Sequence, residues 1–118
     1  MKSLLGRGDY MKNDVIRGIT TLLTIILTAA LGRIQFADHI ETWYNLPMQK
    51  VLSYREAEGY VIDYWERKDG CKMNGHYIIL AAGESVPIGT VIETSRGEGM
   101  VLDRHETDEN VIDIATTW

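Results

Sequence analysis

With 118 residues and a formal net charge of −5, the chain has room for one small domain, and an acidic balance argues against a partner bound through its phosphate backbone. One cysteine, Cys71, rules out an internal disulfide, so a small domain must be held by packing alone or the thiol must pair with another chain. Lysine and arginine form no cluster beyond the first 33 residues, which removes nucleic acid from the expected partners.

In chain order, the first element is a leader. Ile19 to Leu31 is uncharged for 13 residues, follows Lys12 and Arg17, and runs into the small-residue segment Ala30-Leu31-Gly32. That is the pattern of an export signal with cleavage after Gly32, so residues 1–32 are expected to be a signal peptide. A second start at Met11 would give it an ordinary length. The alternative is an uncleaved membrane anchor, the only contact with a membrane that the sequence suggests, although Arg17 and Arg33 bracket fewer than the roughly 20 apolar residues a span needs. Export implies a secreted or cell-wall-associated protein, and an uncleaved anchor an extracytoplasmic one. From Arg33 onward there are eight Lys and Arg against fifteen Asp and Glu, a net of −7.

Residues 33–40 read as a linker, and 41–118 as the folded domain. Glu41 to Leu46 has strand composition and stops at Pro47. Met48 to Glu58 carries apolar Met48, Val51, Leu52 and Tyr54 between charges, a weakly amphipathic helix closed by Gly59. Tyr60 to Trp65 is aromatic and β-branched, Arg67 to Gly70 is a turn, and His76 to Ala81 is a continuous apolar run of the kind a fully buried strand requires. Three further strands follow at Gly89–Thr94, Gly99–Asp103 and Asn110–Ala115, the first two joined by the glycine-bearing turn Ser95 to Gly99. Short strands with one helix predict an all-β fold, a small six-stranded barrel or sandwich.

The second of those late strands ends on Asp103 and the third carries Asp113 in its middle, so strand pairing can bring two carboxylates together across ten positions of sequence. Paired acids with different environments are the equipment of sugar chemistry, because one member can hold its proton while the other stays ionised. The alternative is that both acids bond loop amides at strand ends. Trp43 and Tyr44 offer flat apolar faces for a sugar ring, as do Tyr64 and Trp65, or else they fill the core. Asp108 is either a third acid of the set or a solvated loop residue. Asp103, His105 and Asp108 are too few for a convincing metal site, and nothing else in the sequence asks for a metal or cofactor.

Val86-Pro-Ile-Gly-Thr-Val-Ile-Glu-Thr94, Gly97-Glu-Gly-Met-Val-Leu-Asp103 and Val111-Ile-Asp-Ile114, taken in order, resemble the three-Asp domain of bacterial cell-wall proteins. That domain is similar to the double-psi β-barrel of the membrane-bound lytic transglycosylase A and rare-lipoprotein-A families. Glu41 to Met48 and Tyr64 to Met73 likewise look like segments of small exported proteins of Gram-positive bacteria and their phages. The resemblance implies a double-psi barrel, peptidoglycan glycan strands as partner, Asp113 as acid/base of a lytic transglycosylase, and Asp103 as its neighbour. In those relatives the first Asp is followed by a glycine-rich loop that approaches the glycan, whereas here Arg104-His-Glu-Thr-Asp-Glu109 has no glycine. That departure implies the alternative, a non-catalytic glycan-binding or virion module.

Overall fold

The structure, a computed structural model, describes residues 32–106 and 110–118. The leader expected over residues 1–32 therefore lies outside the described residues except for Gly32, and Asp108 lies outside them altogether. Among the described residues no helix is long and apolar enough to cross a membrane.

The chain is mostly β with one short helix. In order, the elements are β1 (Ile34–Phe36), β2 (His39–Tyr44), α1 (Gln49–Ala57), β3 (Tyr64–Glu66), β4 (Lys72–Asn74), β5 (Tyr77–Ala82), β6 (Val91–Thr94), β7 (Gly97–Arg104) and β8 (Val111–Ala115). They form one eight-stranded sheet along the path β1-β2-β8-β5-β4-β3, with β7 added to β5 and β6 to β7. Two pairs are parallel, β2 with β8 and β5 with β7; the rest are antiparallel. Among the described residues no pairing joins the path's ends, so the sheet they form is not closed, and it has eight strands where a six-stranded barrel was expected.

The apolar run that predicted a buried strand is the hub. Ile78 through Ala82 are at most 2% exposed, because β5 is covered on both faces and paired on both edges. One edge takes β7; the other takes β4 along its first half and β8 along its second. Alternation then sorts the side chains. Ile78, Leu80 and Ala82 join Cys71, Val101, Ile112 and Ile114 in an inner cluster. Ile79 joins Leu102, Ala115, Met48 at the N-cap of α1 and Leu52 of α1 in a second, on the helix side. Each buried Ile or Leu contributes about 1.5–3 kcal/mol by leaving water. α1 ends where Gly59 takes a left-handed φ of 104° and its N–H bonds Glu56 O.

One expectation is corrected at the N-terminal end. Ile34 to Ile40, read as a linker, is an antiparallel hairpin pairing Ile34 with Glu41 and Phe36 with His39. The polar residues of this hairpin have structural employment. Gln35 bonds the carbonyls of Ala37 and His39, and Glu41, fully buried, accepts from the Ser95 amide at 2.9 Å, from the Ser95 hydroxyl, and lies 2.9 Å from His39 Nε2. A buried carboxylate is tolerated when its lone pairs are filled, and these bonds tie the β6–β7 turn to β2. That turn is the pair Ser95-Arg96, and Gly97, the first residue of β7, follows it with φ of 121°, a backbone that a side chain would strain.

Candidate active site

Ala81 of β5 is the register partner of both aspartates: Asp103 on β7 along one edge and Asp113 on β8 along the other. The two carboxylates therefore flank a single residue of the hub strand. Strict alternation would not have achieved this, since Val101 faces the inner cluster and Asp103, two positions on, would follow it. A bulge corrects the facing. As β5 advances one step from Leu80 to Ala81, its partner on β7 advances two, from Val101 to Asp103. Leu102 is the extra residue; it packs on the helix side, and Asp103 emerges on the same side as Asp113. Arg55 of α1 donates from Nε to the Leu102 carbonyl at 2.7 Å, so a helix side chain serves the carbonyl of the extra residue.

β2 runs parallel to β8 with Thr42 opposite Asp113. Thr42 and Tyr44, two positions apart, present to the same face. Thr42 Oγ1 donates to Asp113 Oδ1 at 2.8 Å and Tyr44 Oη donates to Asp103 Oδ2 at 2.9 Å. The Arg104 amide donates to the other oxygen of Asp103 at 2.8 Å, so both oxygens of that carboxylate are oriented. His105 Nε2 lies 2.9 Å from the carbonyl of Val111, and because a carbonyl only accepts, this nitrogen carries the proton.

Burial pushes the Asp113 carboxyl above the usual carboxylate range; the Thr42 hydroxyl and His105 pull it back, and the charge of Asp103 pushes it up again. Burial, followed by the charge and hydrogen bond of Asp103 and the charge of Asp113, holds the Tyr44 hydroxyl far above the ordinary phenol range. Tyr44 therefore acts only as a donor here. The arrangement is a half-buried carboxyl whose burial pushes its pKa up, beside a second acid oriented by two donors, a pairing that general acid/base chemistry can use.

Of the residues expected at the site, the structure brings together Asp103, Asp113 and Tyr44, the last bonded to Asp103 rather than open as a platform. Trp43 is separated from them. It alternates to the opposite face of β2 and packs against the inner cluster, its ring 5.5 Å from that of Trp118, and its indole N–H finds no hydrogen-bond partner among the described residues. Adjacent strand residues cannot both face one site, so Trp43 belongs to the core. Thr42 went unrecognised, yet its Thr-x-Tyr spacing beside Tyr44 was a usable signal; the contribution of His105 had none. Among the described residues, no group of three or more His, Cys, Asp or Glu converges as metal ligands would.

Comparison with protein-family models, with curated proteins and with solved structures returns no match.

Proposed function

We propose that the chain is an exported protein related to the double-psi β-barrels, with an open sheet among the described residues in place of the closed barrel, that cleaves peptidoglycan glycan strands without water, with Asp113 as acid/base. The observation that carries this reading is the shared register of Asp103 and Asp113 on Ala81, joined to the burial that pushes the Asp113 carboxyl above the usual carboxylate range. Two parallel pairs interleaved in an otherwise antiparallel sheet support the double-psi topology, and the basic, then apolar, then small-residue order of the leader supports export.

Protonated Asp113 donates to the glycosidic oxygen as the bond to C1 breaks. Its carboxylate then takes the proton of the sugar's 6-hydroxyl, whose oxygen closes on C1 to give a 1,6-anhydro ring. Asp113 ends in the acid form in which it began. Because the intramolecular hydroxyl is the nucleophile, Asp103 need not attack, as a carboxylate does in retaining hydrolysis. Asp103, oriented by Tyr44 and the Arg104 amide, instead tunes and orients Asp113.

The test is mass analysis of fragments released from purified cell wall. Anhydro-ended products are expected, and Asp113→Asn should lower their release by about two orders of magnitude or more with little change in melting temperature. Ordinary reducing ends would replace this mechanism by hydrolysis. A second reading, a glycan-binding or virion module without catalysis, is favoured by one observation. The segment after Asp103 has no glycine, and Arg104 spends its guanidinium on the carbonyls of Gly83 and Val86 rather than on open space. No release of wall fragments by the parent protein would decide for it.

A further inference from the structure

Between α1 and the β3–β4 ribbon lies an open groove of about 480 Å³, enough for a ligand of a few residues. Its apolar wall is Met48 and Leu52, both 5% exposed, with Ile62 alongside. Lys72 also lines it and is 5% exposed. Its Nζ donates to Asn45 Oδ1 at 2.9 Å and to Leu46 O at 2.7 Å, two neutral acceptors for an ammonium with three donors. Among the described residues no carboxylate forms an ion pair with it. Glu66 stands opposite Lys72 in the ribbon register but accepts instead from the Tyr64 hydroxyl at 2.7 Å. A buried ammonium without an ion pair is costly, and Lys72 is part of the groove's lining.

The rim has the other sign. Glu56 and Glu66 both line the groove and both are exposed. A simple anion would meet two like charges on its way in, and a simple cation would leave Lys72 uncompensated. A ligand carrying a carboxylate at its inner end and an ammonium at its outer end satisfies both, with an apolar body against Leu52 and Ile62.

We propose that this groove binds a short zwitterionic peptide, its carboxylate on the Lys72 ammonium and its amine between Glu56 and Glu66. The proposal does not rest on the chemistry assigned to Asp103 and Asp113. It is tested on the full chain by NMR titration with leucyl-alanine, with its N-acetyl form and with its C-terminal amide. The free dipeptide should shift the methyl resonances of Met48, Leu52 and Ile62, and each blocked form should bind at least about tenfold more weakly, a difference of about 1.4 kcal/mol. Lys72→Gln should reduce the free dipeptide to the affinity of the amide, and the double substitution Glu56→Gln with Glu66→Gln should erase the preference for a free amine. Absence of shifts in the groove, or equal binding of the three ligands, overturns the proposal. If Lys72→Gln fails to fold, the three-ligand comparison on the unaltered chain decides alone.

Discussion

Replacing Tyr44 by Phe removes one hydroxyl and nothing else, and the structure sets what that should cost. The hydroxyl donates to Asp103 at 2.9 Å in a half-buried setting. A hydrogen bond to a charged group is worth about 1.5–3 kcal/mol, and partial solvation of Asp103 argues for the low end, about 1.5 kcal/mol. In a domain of this size that corresponds to a fall in melting temperature of roughly 6–12 °C. The decisive measurement is a double-mutant cycle in urea with Tyr44→Phe, Asp103→Ala and the pair. The pair should be less destabilised than the sum of the singles by about 1 kcal/mol or more, because either single change already breaks the bond. Additivity within about 0.5 kcal/mol would show that the two groups do not sense each other, and with that the oriented carboxylate in the proposed mechanism would fall.

Stability against pH offers a second check. The folded-state pKa of Asp113 is raised, so its contribution is fully present below the unfolded value of about 3.9 and is lost as pH rises through the folded value. Asparagine does not titrate, so Asp113→Asn should gain on the parent as pH rises across that window, and melting curves that keep a constant gap would refute the assignment. Arg55→Met retains the aliphatic stem but leaves the Leu102 carbonyl without its donor; an unfolding free energy lower by about 1.5–3 kcal/mol is expected. Gly99→Ala would place a methyl 2.7 Å from the Leu80 side chain and 2.9 Å from the Ile78 carbonyl, and should cost about 1–3 kcal/mol in the same denaturation assay. Ile79→Asp puts an unpaired charge at a fully buried position and should abolish cooperative unfolding, read by circular dichroism at neutral pH.

Strand composition and apolar runs made most strands legible, β5 above all, because a strand covered on both faces must be apolar at every position. The exposed strand β3 was placed less well. Tyr60 to Trp65 read as a strand, yet pairing begins only at Tyr64, since Tyr60 and Ile62 are recruited by the helix-side cluster instead. The β1 arm of the hairpin reads as linker, and β2 as strand only from Glu41; what holds the arm in place includes the buried Glu41 carboxyl on Ser95 and beside His39, a long-range contact that composition does not show. Asp103 and Asp113 could be picked out as a pair from their positions at the end of one late strand and in the middle of the next. That they share a face could not, because it depends on one surplus residue, Leu102, whose bulge leaves no compositional mark.

The hub strand has a consequence for how the chain reaches this state. β5 draws only β4 from its neighbourhood in sequence; β7 and β8 arrive from much further along, and both parallel pairs demand long closures before any contact repays them. Folding should thus be slow for so small a protein. Until the last strand docks, the apolar segment Tyr77–Ala82 has an unpaired edge, the form in which a chain is most exposed to self-association. A topology completed only when β8 docks leaves the hub strand's second edge open until nearly all of the described chain has been placed.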